Sequence, residues 1–227
     1  MLPALRRPPQ TGKHLCVARS SVMETGVLGG GLELHGRRVT LRPLAESDYD
    51  AWSEIRFRCR SWLLPWEPRP AGAPEVVDDR PGFYARCRAR DRERQSGSGY
   101  GFGIFLGDRL CGEVTLSSIQ RGPFQSGYVG YWVDEAMAGM GLAPEATVVV
   151  IRFAFEVLGL HRVEIAIVPR NAKSIRVAEK LGVRHEGVSA GFLEINGMWE
   201  DHLRYAMTVE EWTSRREELG HRWLDSD

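Results

Sequence analysis

The sequence lacks the features of several protein classes. It has no apolar run near the roughly 18 residues that a membrane-spanning helix needs. It also has no excess of one charge, since 30 lysines and arginines balance 30 aspartates and glutamates. A general attraction to nucleic acid or to an anionic membrane is therefore not expected. The 227 residues, 43% of them hydrophobic, suffice for one sizeable core with tails.

The cysteines and histidines show no metal-binding or disulfide pattern. Cys16, Cys59, Cys87 and Cys111 lie far apart, without a Cys-x-x-Cys pair, and no two histidines are spaced as His-x-x-x-His. We therefore predict no metal site and no disulfide framework. A reduced, cytoplasmic setting fits this cysteine usage.

Neither common nucleotide-binding signature is complete. No Gly-x-x-x-x-Gly-Lys-Ser/Thr occurs, and Gly139-x-Gly141 lacks the third glycine of the dinucleotide fingerprint. Residues 130–159 nevertheless predict a strand, a glycine-bearing loop and a buried helix, because residues 131–133 are aromatic and β-branched. Two glycines followed by the unpaired N–H groups of a helix start form either a tight strand-to-helix connection or a phosphate or pyrophosphate site.

The rest of the chain predicts antiparallel strands followed by alternating strands and helices, the order of a mixed sheet. The predicted strands are 38–42, 100–106, 110–119, 128–133, 161–167, 183–195 and 198–208, and the predicted helices are around 46–59, 74–94, 144–158, 171–181 and 209–227.

Two segments admit two interpretations each. Residues 61–68 hold two tryptophans, two prolines and Glu67, so they either line a site for an amine or cover the core. Six arginines lie between Arg80 and Arg94, against Asp91 and Glu93. Such a run forms a solvated helix face or contacts an anionic partner such as ribosomal RNA.

The glycine loop resembles the pyrophosphate loop, Gln/Arg-x-x-Gly-x-Gly/Ala, of the GCN5-related N-acetyltransferases. The matching residues are Ala138, Gly139, Met140, Gly141, Leu142 and Ala143. Both small-residue positions fit, while Ala138 stands where Gln or Arg is expected. The resemblance implies acetyl-CoA as cosubstrate, held mostly by main-chain N–H groups, and Ala138 implies weaker binding rather than none.

Within that superfamily the chain is most similar to the RimJ/RimL type of ribosomal-protein N-terminal acetyltransferase, over about residues 34–212. The residues that carry the likeness are Trp66-Glu67-Pro68, Arg121-Gly122, Gly130-Tyr131, His161-Arg162, Glu186-Gly187 and Asn196-Gly197-x-Trp199-x-Asp201-His202. It implies an α+β acetyltransferase domain at 32–212, with a mixed, mostly antiparallel seven-stranded sheet splayed at its centre and about four flanking helices. A disordered tail, 1–31, and a charged helical tail, 213–227, flank this domain.

The resemblance also implies roles for single residues. Main-chain groups of Trp132 and Val133, on the splayed strand, would pair with the pantetheine arm, and a main-chain N–H would polarise the thioester carbonyl. Asn171 would bond the pantetheine, and Ser174 would stabilise or protonate the departing thiolate. The sequence does not decide the general base among Glu113, Glu67, Glu194 and Tyr205. Of these four, Glu113 is our catalytic candidate.

The expected reaction is direct transfer of acetyl to a protein N-terminal α-amine, with a ribosomal-protein alanine or serine as acceptor. Such an amine, with a pKa of about 7.7–8.0, is already partly neutral in the cell, so a weakly placed base or a held water suffices. The alternatives are a small amine, such as an antibiotic or a polyamine, and a catalytically silent acetyl-CoA-binding protein. A transient ribosome contact and a homodimer are left open.

Overall fold

A computed structural model of the protein describes residues 31–68 and 78–225. The predicted tail at residues 1–30 and the first residues of the predicted helix 74–94 lie outside the described residues. The strands are β1 Leu34–His35, β2 Val39–Arg42, β3 Tyr100–Leu106, β4 Arg109–Gln120, β5 Ser126–Val133, β6 Arg162–Ile167, β7 Arg184–Ile195 and β8 Met198–Thr208.

These strands form one sheet in the order β1-β2-β3-β4-β5-β6-β8-β7. The pair β5–β6 is parallel and the other neighbouring pairs are antiparallel. The predicted mixed, mostly antiparallel sheet is therefore confirmed. The described residues hold one strand more than the seven predicted, the two-residue β1 at the sheet edge.

The helices in the described part of the chain are α1 Tyr49–Arg58, α2 Arg60–Leu63, α3 Arg80–Ser96, α4 Leu142–Arg152, α5 Ala172–Lys180 and α6 Val209–Trp223. None of them is long and apolar enough to cross a membrane. Helix α6 buries Trp212, Leu219 and Trp223 in the main core. The domain boundary at residue 212 stays a prediction, and α6 runs through it as one helix.

Helix α4 is the centre of the main core. Its residues from Leu142 to Ile151 are all buried, as an all-round apolar helix must be. Its one buried carboxylate, Glu145, accepts hydrogen bonds from the Val39 N–H at 2.9 Å and from Arg38 Nε at 2.9 Å. These bonds fix the start of β2 against the first turn of α4.

The sheet separates two apolar clusters. Because successive side chains of a strand point to opposite faces, Tyr131 and Val133 pack on the main core with α4, whereas Trp132 packs on the smaller cluster formed with α1 and α3. We call these two sides of the sheet the α4 face and the α3 face.

The arginines of α3 are mostly neutralised within the fold. Five of the six form ion pairs: Arg80 with Asp50, Arg86 with Glu113, Arg88 with Glu46, Arg90 with Glu93 and Arg94 with Asp91. This pairing favours the interpretation as a helix face over a contact with an anionic partner.

Candidate active site

The two parallel strands diverge at the centre of the sheet. Strands β5 and β6 pair only along residues 126–128 and 162–164, although β5 continues to Val133 and β6 to Ile167. The last five residues of β5 therefore lack a partner on that side, and a cleft of about 1210 Å³ opens between the strands. The predicted central splay is confirmed, and it begins at Val129.

The register of β4 and β5 decides which main-chain groups face this cleft. The Asp134 N–H donates to the Cys111 carbonyl at 2.8 Å. In an antiparallel ladder this bond marks the preceding residue, Val133, as one whose own N–H and C=O point away from β4. By alternation, Tyr131 also turns its main chain to the cleft, whereas the main chain of Trp132 bonds β4. Of the two predicted residues, Val133 therefore offers main-chain groups and Trp132 offers its side chain.

The glycine loop has the geometry that its sequence predicts. Gly139 and Gly141 have φ angles of 86° and 83°, in the left-handed region that glycine occupies without strain. Gly141 directly precedes α4, and no side chain caps this helix end. The first N–H groups of the helix, those of Leu142 and Ala143, lack intrahelical partners and lie at the positive end of the helix dipole. This end of the cleft is therefore suited to bind an anion.

A buried carboxylate holds the start of this loop. Asp134 is fully buried and accepts hydrogen bonds from Arg58 at 2.8 and 3.0 Å and from the Ala136 N–H at 3.0 Å. The Arg58 guanidinium lowers the pKa of Asp134 to about 2. Of the loop residues between the glycines and before them, Ala138 lines the cleft. Met140 does not line it, and its side chain is half-exposed.

The start of α5 brings Asn171 and Ser174 to the cleft. Asn171 Oδ1 accepts the Ser174 N–H at 3.1 Å, so its side chain caps the helix. The Ser174 hydroxyl lies 2.9 Å from the hydroxyl of Tyr131. Burial raises the pKa of Tyr131 well above its usual value, so this hydroxyl stays protonated. No pattern in the sequence indicates this hydroxyl pair.

Glu113 and Glu67 also line the cleft, and arginines hold both carboxylates. Glu113 is buried, with Trp52 Nε1 donating to one oxygen at 2.8 Å and Arg86 Nη2 to the other at 2.5 Å. Glu67 pairs with Arg56, whose Nη2 lies 3.1 Å from Oε2. Arg86 has Glu113 as its one carboxylate partner among the described residues, whereas Arg56 also pairs with Asp78, whose Oδ2 lies 3.0 Å from its Nε.

The two other candidates for the general base, Glu194 and Tyr205, are not among the residues that line the cleft. Tyr205 is buried in the main core on the α4 face. The strand order brings a different residue of the same hairpin to the cleft. Because β8 lies between β6 and β7, its residue His202 reaches the cleft from the α3 face.

Three cleft residues had no assigned role in the sequence. Trp62 donates its indole N–H to the Val133 carbonyl at 3.2 Å, and the Lys173 ammonium lies 3.6 Å above the centre of its ring. Its loop, residues 61–68, therefore lines the cleft. Tyr131 had been predicted as part of the strand before the glycine loop, without a role for its hydroxyl. His202 had served only to carry the family resemblance, because no spacing in the sequence places it beside that loop.

Within residues 31–68 and 78–225, no group of histidine, cysteine, aspartate and glutamate could hold a metal ion. Cys59, Cys87 and Cys111 are buried free thiols.

Comparisons with known proteins agree with this geometry. The family described as "Acetyltransferase (GNAT) domain" matches residues 38–184. The ribosomal protein uS5-alanine N-acetyltransferase of Escherichia coli (strain K12) is 32% identical over 177 residues, covering 74% of this chain and 88% of that protein. The protein named "Probable N-acetyltransferase YjcK" of Bacillus subtilis (strain 168) is 46% identical over 95 residues. That match covers 42% of this chain and about half, 52%, of YjcK.

A solved structure shows the same architecture. Mycobacterium smegmatis RimJ in complex with CoA-disulfide superposes with a TM-score of 0.76 at 31% sequence identity. The match covers 85% of this chain and 94% of that one, so it includes both the sheet and its flanking helices.

Proposed function

The chain belongs to the GNAT acetyltransferase family, and from this premise we propose that it transfers acetyl from acetyl-CoA to the N-terminal α-amino group of a protein. The favoured acceptor is an alanine or serine at the start of a ribosomal protein. One observation carries the proposal: the anion-binding glycine loop and the divergence of β5 from β6 share a single cleft. The named activity of the Escherichia coli relative supports the choice of acceptor.

The residues present fit acetyl-CoA as the cosubstrate. The N–H groups of Leu142 and Ala143 at the start of α4 suit its diphosphate. The free edge of β5 at Tyr131 and Val133 suits the two amides of its pantetheine arm, which can pair as a neighbouring strand does. Mycobacterium smegmatis RimJ, whose structure contains a CoA-disulfide, supports this assignment.

The chemistry follows from groups on the two sides of the splay. The Val133 N–H points into the cleft, where it can polarise the thioester carbonyl and stabilise the negative charge that develops on its oxygen. Ser174 donates a proton to the sulfur when the C–S bond breaks, and Tyr131 positions its hydroxyl. The amine attacks the carbonyl carbon directly, so no acyl-enzyme forms.

Glu113 remains part of the proposed site. Its carboxylate is bonded to Trp52 and Arg86, and the Arg86 guanidinium carbon lies 5.4 Å from the centre of the Trp52 ring. We propose that Glu113 holds these side chains in place on the α3 face, the side on which the acceptor would bind. Its cross-strand partner there is Trp132 of β5. In this role Glu113 orients the acceptor.

The alternative acceptors are less well supported by the cleft. A polyamine or a cationic antibiotic needs uncompensated carboxylates, and two of the three carboxylates that line the cleft, those of Glu67 and Glu113, already have arginine partners. The third, Glu135, belongs to the short turn that leads into the glycine loop. A silent acetyl-CoA-binding protein does not require an amine-accessible opening on the α3 face. A ribosome contact, a homodimer and a cytoplasmic location are further parts of the proposal, and the three free thiols fit the last of these.

The test is acetylation of matched acceptors, followed by intact-mass spectrometry. The protein and acetyl-CoA are incubated with decapeptides that begin with Ala, Ser or Met. The control is the Ala peptide with a formylated N-terminus and one internal lysine, and spermidine serves as the small amine. We expect the free Ala and Ser peptides to be acetylated and the blocked peptide to remain unmodified. Preferred acetylation of spermidine, or of the lysine, would overturn the proposal.

A further inference from the structure

We propose that His202 is the general base that takes the proton from the acceptor amine. This inference rests on the proposed function, since it assigns the missing proton acceptor of that reaction. His202 is 2% exposed and lines the cleft. Three lines of geometry lead to this assignment: the hydrogen bond of one ring nitrogen, the face of the sheet on which the ring lies, and the pairing of the charges around it.

The hydrogen bond fixes the tautomer of the ring. His202 Nδ1 lies 3.0 Å from the carbonyl oxygen of Glu200. A carbonyl oxygen can only accept, so Nδ1 carries the hydrogen and Nε2 of the neutral ring has a free lone pair. No hydrogen bond joins Nε2 to another described residue, and His202 is one of the residues that line the cleft. Nε2 is therefore the ring nitrogen that is left to accept a proton from a group in the cleft.

The register places His202 at the end of β6. Leu203 pairs with Ile167, the last residue of β6, so His202 lies one residue beyond it, level with the turn that leads to Asn171 and α5. Leu203 and Tyr205 pack on the main core, so by alternation His202 lies on the α3 face. Its ring packs against Phe192 at 5.6 Å between centroids.

The proposed acid and base thus lie on opposite sides of the splay. Ser174 and Tyr131 lie on the α4 face, the side from which the thiolate leaves. His202, Trp132 and Glu113 lie on the α3 face, where the amine must arrive. This separation suits a direct acyl transfer, because the proton is removed at the nitrogen and supplied at the sulfur.

Charged side chains on the elements near His202 form ion pairs with one another. The ion pairs are Arg204 with Glu164 on β8 and β6, Arg170 with Glu200 beside the turn before α5, and, across the cleft, Glu67 with Arg56, Glu113 with Arg86 and Arg90 with Glu93. The Lys173 ammonium, at the start of α5, lies over the Trp62 ring. Histidine is the side chain that most often serves as a general base.

The proton balance is simple. The α-ammonium gives one proton to His202 Nε2, directly or through one water, and the neutral amine forms the new C–N bond. The C–S bond breaks, and the sulfur takes one proton from the Ser174 hydroxyl. The new amide nitrogen then loses its second proton, which passes through solvent in the open cleft to the Ser174 alkoxide and restores its hydroxyl. The imidazolium returns its proton to solvent, so the transfer releases one proton in all.

The test compares His202→Asn with His185→Asn on the acceptor peptide across pH 6 to 9. The asparagine amide in the first variant keeps a donor for the Glu200 carbonyl and cannot accept a proton. The control, His185, is exposed on β7, packs against Tyr205 and does not line the cleft. We expect His202→Asn to lower kcat/KM about 100-fold at pH 6 and less than about 10-fold at pH 9, because the α-amine then loses its proton unaided. Affinity for acetyl-CoA stays unchanged, and the control behaves as the wild type.

Two results would overturn the inference: a kcat/KM within threefold of wild type at pH 6, or a loss that is equal at all pH values and accompanied by weaker acetyl-CoA binding. A second measurement uses the wild-type protein, so its result does not depend on whether a variant folds. The imidazole nitrogen-15 shifts of His202 in the wild-type protein at pH 8 must show hydrogen on Nδ1 alone, and hydrogen on Nε2 would contradict the proposal. If the wild type acetylates no peptide, the proposed function fails, and the nitrogen-15 result still tests the tautomer.

Discussion

The two sides of the cleft are built in different ways. On the α4 face the site consists mainly of main-chain groups from one continuous segment, residues 131–143, followed by the first turn of α5. On the α3 face it consists of side chains from separate parts of the chain: Trp62, Arg86, Glu113, Trp132 and His202. The first side depends on backbone conformation and the second on which side chains the sheet brings together.

This difference bears on how specificity can change. A site made of N–H groups and a helix end tolerates most side-chain changes, provided that its glycines remain. Ala138 illustrates this tolerance, because it replaces a family Gln or Arg while the loop keeps its left-handed glycines. The α3 face, where the acceptor would bind, is less tolerant of substitution, since each of its side chains has a specific partner. We therefore expect substitutions there to change the acceptor and to leave acetyl-CoA binding intact.

The largest expected effect comes from a substitution at Gly141, which disrupts the main-chain groups on the α4 face of the cleft. In Gly141→Asp the new Cβ would lie 3.3 Å from Arg38 Nη2, and the carboxylate would stand beside the N–H groups that we propose as the phosphate site. We expect acetyl-CoA binding to weaken at least about 100-fold, because like charges repel and the helix end is neutralised. Isothermal titration calorimetry measures the affinity directly.

The matched control is Gly107→Asp. Gly107 also has a left-handed φ, 58°, but lies in the β3–β4 turn, where an added Cβ meets nothing within 4 Å. Both variants carry the same backbone strain, of about 1–2 kcal/mol, and the same charge. Equal acetyl-CoA affinity in the two variants would show that the loop is not the phosphate site.

The contrast between the two sides also explains what the sequence could predict. The pair Gly139 and Gly141 before an apolar helix is a local signal, and residues close to them in the chain set its geometry. The parallel pairing of β5 with β6 and the order β6-β8-β7 are not local, because the strands come together over long separations. The fold class and the loop followed from the sequence, whereas the face to which His202 or Glu113 turns did not.

The same reason explains why the sequence did not indicate the proposed general base. Glu113, Glu67, Glu194 and Tyr205 were chosen by residue type, and type alone says nothing about partners. The structure brings Glu113 and Glu67 to the cleft already bonded to arginines, and it leaves Glu194 and Tyr205 away from it. A lone histidine in a strand carries no signal of its own until the strand order is known.

A smaller effect is expected at Asp134, which joins the two sides by tying the loop to α1 through Arg58. In Asp134→Asn the cap to Ala136 can persist but the ion pair is lost, so we expect about 2 kcal/mol lower stability at pH 7 by urea unfolding. The folded pKa of about 2 lies below the ordinary value of about 3.9. The extra stability of the wild type is therefore present above about pH 4 and is lost as the pH falls toward 2.

The control for that variant is Asp79→Asn, in which the side chain caps α3 through the Gly82 N–H at 2.8 Å. Asp79 has no arginine partner among the described residues, and asparagine caps as well as aspartate. We expect its stability to change by less than about 0.5 kcal/mol at any pH. A difference between wild type and Asp134→Asn that stays constant from pH 7 to pH 2 would contradict the assignment of the ion pair.

The smallest expected effect, that of Tyr131→Phe, distinguishes the proposed proton donor on the α4 face from the proposed proton acceptor on the α3 face. Tyr131→Phe removes the hydroxyl that lies 2.9 Å from the Ser174 hydroxyl, so Ser174 loses its orientation but remains in the cleft. We expect kcat to fall about 3- to 10-fold, with the KM for acetyl-CoA unchanged. Because burial raises the pKa of Tyr131, its hydroxyl is protonated throughout pH 6 to 9, so the loss is the same at every pH. The control is Tyr100→Phe, whose ring packs on Phe153 and does not line the cleft.

A double-mutant cycle on kcat completes this comparison. If Tyr131 acts only through Ser174, Tyr131→Phe adds nothing in a Ser174→Ala background, whereas independent roles give multiplied losses. A loss that grows as the pH falls would instead place Tyr131 in the removal of the amine proton, on the same pathway as His202. A pH-independent loss here and a pH-dependent loss in His202→Asn would assign proton donation to the α4 face and proton acceptance to the α3 face.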